Sequence, residues 1–118
     1  MRIRTLIVTL SLLAAASAPL AADARSDAKK QVEFGISVAQ RGLWREAVYR
    51  WERATQIDPT YAAALNNLAV AYEHEGDLEK ARVAYEKAIN LEPNNTFIKQ
   101  NYELFKEIND RTTRKDTQ

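Results

Sequence analysis

One constant step separates residues of the same type along this chain of 118 residues. Four pairs show it, and they are Gly42 and Gly76, Ala47 and Ala81, Ala54 and Ala88, and Pro59 and Pro93. A period of about 34 residues indicates a supersecondary unit that cannot bury its apolar face alone and must stack on copies of itself. The sequence therefore predicts a solenoid with an extended binding surface instead of a catalytic pocket.

Each recurring residue has a physical role in a helix–turn–helix unit. Alanine on the second helix of each unit allows paired helices to approach to about 8–10 Å. Gly42 and Gly76 follow the first helices, where a left-handed residue ends a helix without steric cost. Pro59 and Pro93 stop the second helices. Larger residues at helical spacing are expected to fill the space between helices, and these are Phe34, Val38, Trp51, Leu68, Tyr72 and Tyr85.

This arrangement of small and large residues resembles the tetratricopeptide repeat family. Residues 62–95 carry the clearer copy of the pattern, and residues 28–61 carry a more divergent one. The resemblance implies an all-α fold in which antiparallel helix–turn–helix repeats stack as a short right-handed α-solenoid. It also implies that the chain binds other proteins.

The segment after the second repeat predicts one more helix. Apolar residues recur at helical spacing, and these are Phe97, Ile98, Tyr102, Phe105 and Ile108. Asn94, Asn95 or Thr96 can cap this helix. We expect a capping helix over residues 96–110, because the last repeat would otherwise expose its apolar face. Residues 111–118 contain no apolar residue and predict a disordered polar tail.

The amino-terminal segment has the three parts of a secretory signal peptide. Two arginines precede an apolar run over residues 6–16, and a small-x-small site ends at Ala24. We therefore expect residues 1–24 to be a signal peptide that is cleaved after Ala24, so that the protein is exported, most simply to a bacterial periplasm. An uncleaved segment would instead anchor the chain in the inner membrane, which is the one membrane contact that we expect.

Charge argues against a nucleic-acid partner. The chain carries 17 lysines and arginines against 16 aspartates and glutamates, and nucleic-acid binding needs a concentrated basic face. The first repeat is nevertheless biased towards basic residues and the second towards acidic residues. Such a dipolar array could orient a partner or favour head-to-tail contact between copies, although solvated helix faces explain the same charges.

The sequence offers no catalytic constellation. His74 is the single histidine and the chain has no cysteine, so neither a metal site nor a nucleophile relay can be completed. We interpret His74 as a surface residue at the end of a helix, where the helix dipole favours it. We therefore expect no catalytic residue, no cofactor and no metal.

The resemblance implies a ligand groove along the first helices of the repeats, which continues along the capping helix. The positions that would line it are Val32, Ile36, Ala39, Asn66, Asn67, Val70, Glu73 and Leu104. We expect these side chains to lie off the face that packs against the second helices, and an apolar groove of this kind suits an extended peptide or an amphipathic helix. Asn66 and Asn67 can hydrogen-bond a bound backbone, but amides on a helix surface need no function.

These features predict a non-enzymatic adaptor or scaffold that binds a peptide segment or helix of another protein. The alternative is a structural subunit that self-assembles as a homo-oligomer or completes the solenoid of a partner. Stability of such arrays requires about three stacked units, so two repeats and a capping helix leave a thin margin that assembly would widen.

Overall fold

The computed structural model describes residues 17–116, and residues 1–16 and 117–118 lie outside the described part. The described residues form five helices and no strand: α1 (Ser17–Gln40), α2 (Trp44–Ile57), α3 (Ala62–Glu75), α4 (Leu78–Leu91) and α5 (Thr96–Asp116). Helix α1 packs on α2 and α3 packs on α4, while α2 and α4 each contact the helix that follows. Adjacent helices are therefore packed as in a tetratricopeptide-like helical repeat, which confirms the predicted fold class.

The two predicted glycine turns are present. Gly42 and Gly76 have φ angles of 79° and 80°, in the left-handed region where a side chain would be strained. The N–H of the residue after each glycine bonds back to the preceding helix, at 3.0 Å from Leu43 to Val38 and at 2.9 Å from Asp77 to Tyr72. The same turn therefore ends α1 and α3, and each repeat folds back on itself at the same point.

Side-chain caps begin two of the helices. Asp77 accepts a hydrogen bond from the Lys80 N–H at 3.2 Å and starts α4. Asn95 accepts from the Ile98 N–H at 3.2 Å and starts α5, as one of the three capping residues that the sequence offered. The two prolines lie in the turns that follow α2 and α4, as predicted.

The core is built from alanines and a few large side chains. The four repeated alanines of α2 and α4 are fully buried, and Trp51, Leu68 and Tyr85 are buried beside them. Phe34 was predicted in this core, and that prediction is wrong, because its side chain is 47% exposed.

The exposure of Phe34 follows from its position at the start of the array. Leu68, at the same position of the second repeat, is buried because α2 lies before α3 and packs on it. No helix precedes α1 within residues 17–116, so Phe34 has no equivalent neighbour. The guanidinium of Arg50 instead lies 4.2 Å from the centre of the Phe34 ring and covers part of it.

An arginine near the start of α1 ties this helix to the turn between the repeats. The Nε of Arg25 donates to Asp58 at 2.5 Å, and its guanidinium lies 4.6 Å from the centre of the Tyr61 ring. Thr60 donates to the same carboxylate through its N–H and its hydroxyl. Burial raises the pKa of Asp58, but the hydrogen bonds from Thr60 and Arg25 outweigh burial and hold the pKa below its usual value.

The described part of α1 begins before the predicted first repeat. Residues 17–24, which were predicted to belong to a cleaved signal peptide, are helical and continuous with the residues that follow Ala24. The predicted apolar run over residues 6–16 and the arginines before it lie outside the described residues. Within the described residues, no helix is long and apolar enough to cross a membrane.

Helix α5 continues to Asp116, beyond the predicted end of the capping helix at residue 110. Residues 111–116, predicted to be a disordered tail, are therefore helical. Arg111 pairs with Glu107 one turn earlier, and the hydroxyl of Thr112 donates to the Ile108 carbonyl at 3.0 Å. Arg114 and Lys115 lie in the last turn, where the helix dipole favours positive charge.

Candidate peptide-binding groove

A groove of about 390 Å³ lies where α1, α3 and α5 meet the start of α2. We call it the inner groove, and its lining residues are Ile36, Ala39, Gln40, Trp44, Trp51, Asn66, Asn67, Val70, Phe97 and Asn101. None of these side chains carries a charge. The groove therefore offers aromatic and aliphatic surface together with amide groups, and this combination suits apolar side chains attached to a polar backbone.

Five of the eight predicted groove residues line the inner groove. Ile36, Ala39, Asn67 and Val70 are at least partly exposed there. Asn66 also lines the groove, but it is buried, and its Oδ1 accepts a hydrogen bond from Asn101 Nδ2 at 3.1 Å. Its carbonyl oxygen thus joins α3 to α5, which leaves Asn67 as the predicted asparagine with exposed surface.

Val32 does not face the groove. It is buried in the core, and its backbone carbonyl accepts a hydrogen bond from Trp51 Nε1 at 3.1 Å. The expectation that Val32 lies off the face that packs against α2 is therefore wrong. The side of α1 that contains Val32 is the side against which the Trp51 indole packs.

Glu73 is not among the lining residues and has a partner inside its own repeat. Its Oε2 accepts a hydrogen bond from the hydroxyl of Tyr85 at 2.6 Å. Burial of the phenol, together with this hydrogen bond, raises the pKa of Tyr85 above its usual value. Glu73 therefore joins α3 to α4.

The raised pKa of Tyr85 predicts a loss of stability at alkaline pH. The unfolded chain releases this proton near pH 10, whereas the folded chain retains it, so the stabilisation is complete below about pH 10 and is lost as the pH rises further. We expect Tyr85→Phe to make the dependence of unfolding free energy on pH shallower by up to about 1.4 kcal/mol per pH unit above about pH 10. Denaturant unfolding of both proteins from about pH 9 to about pH 11.5 measures this, and equal slopes would contradict it.

Leu104 is exposed but does not line the inner groove. It lies on the same face of α5 as Phe97, Asn101 and Ile108, because spacings of three and four residues return to one side of a helix. An adjacent side of α5, about a quarter turn away, carries Ile98 and Phe105, which are buried. Leu104 therefore extends the surface along α5 beyond the groove.

The structure adds residues that the predicted groove did not contain. Trp44 lies at the start of α2, and its ring stacks on the imidazole of His74 with the ring centres 4.1 Å apart. Trp51 comes from the second helix of the first repeat, which the predicted groove left out. Phe97 lies at the start of α5, where the prediction had named only Leu104. Trp44 had no sequence signal beyond its place directly after the glycine turn.

Gly35 determines where the Trp51 indole lies. A Cβ added at Gly35 would lie 2.3 Å from Trp51 Nε1, well inside contact distance. The absence of a side chain lets the indole lie against α1 and donate to the Val32 carbonyl. The edge of that ring then forms part of the groove lining, so Gly35 acts on the groove through Trp51.

The groove provides binding surface but no reacting group. Within the described part of the chain, no cluster of histidine, aspartate or glutamate side chains is able to hold a metal ion. The imidazole of His74 lies against Trp44, at the end of α3 where the sequence predicted a helix-terminal residue.

Three known proteins are similar to parts of this chain. The protein "Uncharacterized protein ycf37" of Pyropia yezoensis is 51% identical over 45 residues, which are 38% of this chain and 25% of that protein. The chloroplastic tetratricopeptide repeat domain-containing protein PYG7 of Arabidopsis thaliana is 29% identical over 74 residues, which are 63% and 25%. Photosystem I assembly protein Ycf3 of Rippkaea orientalis is 32% identical over 83 residues, which are 58% and 48%. The chain thus spans less than half the length of each relative.

These relatives overturn the predicted location. One is named as a chloroplastic protein and another as a photosystem I assembly protein, so the predicted export to a bacterial periplasm is wrong. The inner-membrane alternative fails with it, because both rested on residues 1–24 as an export signal. In the structure, the predicted cleavage site after Ala24 lies inside α1, and Arg25 is held by Asp58 and Thr60.

Family comparison agrees with the packing of the helices. The model of the tetratricopeptide repeat matches residues 62–95, which are the second predicted repeat. A second model, described as TPR repeat, matches residues 38–76 and so includes all of α2 and α3. Tetratricopeptide repeats are therefore detected within residues 38–95.

Proposed function

We propose that this chain is a non-enzymatic protein-interaction module that binds a peptide segment or helix of another protein in the inner groove. The observation that carries the proposal is the exposure of apolar groove residues, since Ile36 is 42% exposed and Phe97 is 63% exposed. Apolar side chains on a solvated helix face indicate a surface that a partner covers.

The chemistry of the lining supports a peptide as the ligand. Asn67 and Asn101 occupy the same repeat position on α3 and α5, and each amide can donate to and accept from a peptide backbone. Ile36 and Val70, which also share one repeat position, supply apolar surface for the side chains of that peptide. Backbone recognition by amides combined with apolar contacts is typical of peptide grooves.

The relatives favour a role in assembly. Tetratricopeptide homologues suggest protein interaction or assembly, and one relative is named for the assembly of photosystem I. We therefore propose that the partner is a subunit of a protein complex. A role as a self-assembling subunit is the alternative, and the experiment below separates the two.

A photo-reactive amino acid at position 97 tests the groove directly. Phe97 lines the inner groove and is exposed, so a crosslinker there is expected to capture the partner in the native cell, and mass spectrometry then identifies it. Tyr49 is the matched control position, because it is equally an exposed aromatic residue and does not line the groove. Equal capture from both positions would contradict the proposal, and crosslinks between two copies of the chain would favour self-assembly.

A crosslinker at position 70, which also lines the inner groove, is expected to capture the same partner. The combined variant Ile36→Glu and Phe97→Glu is expected to abolish capture from position 70 while leaving helicity unchanged. Substitutions at exposed positions usually alter the unfolding free energy by about 0.5 kcal/mol or less. The matched control is Tyr49→Glu with Leu78→Glu, two exposed apolar residues that do not line the inner groove. Circular dichroism checks the fold of both variants, and undiminished capture by the folded groove variant would exclude the inner groove as the site.

A further inference from the structure

A second groove lies on the surface formed by α2, α3 and α4. Two depressions of about 520 Å³ and about 310 Å³ share Thr55, Leu65 and Lys87 as lining residues, so they form one continuous groove. We call it the outer groove. None of its lining residues lines the inner groove, and the two surfaces are therefore distinct.

The outer groove exposes apolar side chains that the core does not cover. Val83 and Leu91 on α4 are each 40% exposed, and Leu65 on α3 is half-buried between them and α2. The first repeat differs, because Ile57, which holds the repeat position of Leu91, packs against the core. The apolar surface at Leu91 is therefore a feature of this groove and not of both repeats.

The charges of the outer groove leave one cation without an anionic partner. Lys80 pairs with Asp77 at 3.7 Å, and Glu52 accepts a hydrogen bond from the Tyr72 hydroxyl at 2.9 Å. Lys87 lines both depressions and forms no ion pair with any residue that the structure describes.

The sequence of α4 explains why Lys87 has no carboxylate nearby on its own helix. Side chains three and four residues away are the ones that meet on a helix surface. At those positions α4 carries Val83, Ala84, Asn90 and Leu91, none of which is charged. Glu52 lines only the smaller depression, whereas Lys87 is the one charged residue among those that line the larger depression. The charge of the larger depression is therefore positive, and it lies beside the apolar surface of Leu65 and Leu91.

We propose that the outer groove binds an acidic amphipathic segment of a partner protein. Its apolar side chains lie against Leu65, Val83 and Leu91, and a carboxylate of the segment pairs with Lys87. Apolar anchors flanked by one charge pair provide both affinity and orientation. This site acts independently of the inner groove, so one molecule contacts partners on two surfaces.

The test uses defined peptides and the full chain. Three peptides of about twelve residues, in which leucine alternates with glutamate, lysine or serine, are titrated into the isotopically labelled protein. The glutamate peptide is expected to shift the amide resonances of Thr55, Leu65, Lys87 and Leu91, and to bind at least fivefold more tightly than the other two peptides. Added salt is expected to weaken binding of the glutamate peptide, because salt screens the pair between its carboxylate and Lys87.

Charge reversal gives the matched comparison. Lys87→Glu is expected to weaken binding of the glutamate peptide at least fivefold, since it replaces attraction by repulsion. Arg53→Glu is the control, because Arg53 holds the same repeat position in the first repeat and does not line the outer groove. It is expected to change binding less than twofold.

Several results would overturn the proposal. Equal binding of the glutamate and lysine peptides, equal effects of the two charge reversals, or no shifts with the glutamate peptide would each do so. Shifts confined to Asn67, Val70 and Phe97 would assign the peptide to the inner groove instead. Binding of vesicles with anionic lipid at Lys87, without binding of the peptide, would make this a lipid-binding surface and not a protein-binding one. None of these outcomes bears on the crosslinks expected from position 97.

Discussion

Trp51→Ala is expected to lower the free energy of unfolding by about 3–5 kcal/mol, the usual range for emptying a buried aromatic site. The indole is only 4% exposed, belongs to the main core cluster, and donates to the Val32 carbonyl. A domain of this size has a total stability of about 5–15 kcal/mol, so the loss takes a large share of it. Because Trp51 joins α1 to α2, the first repeat is expected to lose its packing.

The matched control for this experiment is Tyr49→Ala. Tyr49 lies two positions earlier on α2 and is 56% exposed, so its removal is expected to change stability by no more than about 0.5 kcal/mol. Denaturant unfolding followed by circular dichroism measures both variants without depending on tryptophan fluorescence. A Trp51→Ala protein within about 1 kcal/mol of the parent would show that the indole is not a core residue and would contradict the packing of the first repeat.

The hairpins of this fold were predictable because their determinants are local or repeat at a fixed step. Positive φ at Gly42 and Gly76 and the caps at Asp77 and Asn95 depend on residues within one turn of each helix end. The buried alanines were predictable for a different reason, since each recurs one repeat later in the same environment.

Two predictions about the fold fail at the ends of the array. Phe34 has the sequence position of a core residue, but burial at that position requires a preceding helix, and among residues 17–116 there is none. The predicted end of α5 at residue 110 is too early, because a segment without apolar residues can still be helical. Local pairs such as Arg111 with Glu107 stabilise a helix without an apolar face.

The groove was predictable in part. The spacing of the repeat located Ile36, Asn67 and Val70, since residues at equivalent positions on successive first helices form one surface. The contribution of Trp44 depends on the contact between the start of α2 and His74 at the end of α3, and no spacing along the chain encodes that contact. The periplasmic location failed because an apolar run after two arginines does not specify the cell or compartment in which it acts.

The two repeats differ in the sizes of the side chains at two corresponding positions. Gly35 corresponds to Ala69 in the second repeat, and Trp51 corresponds to Tyr85. The first repeat thus combines the smaller residue with the larger ring, and the second combines alanine with the smaller ring. A Cβ at Gly35 would lie 2.3 Å from Trp51 Nε1 and 2.7 Å from Trp51 Cδ1, so alanine and tryptophan do not fit together here.

Gly35→Ala is therefore expected to lower the free energy of unfolding by about 1–3 kcal/mol through overpacking, although alanine favours helices by about 1 kcal/mol over glycine. The clash meets a rigid, buried indole that has little room to move, so the strain exceeds the gain in helix propensity.

Trp51→Tyr in the same chain reproduces the alanine and tyrosine pair of the second repeat and is expected to relieve the clash. The double variant should then be more stable than the sum of the two single changes predicts, with a coupling energy of at least about 1 kcal/mol. Denaturant unfolding of all four proteins measures this coupling. Additivity within about 0.5 kcal/mol would mean that Gly35 does not determine the position of the ring, because residues in direct contact are expected to couple.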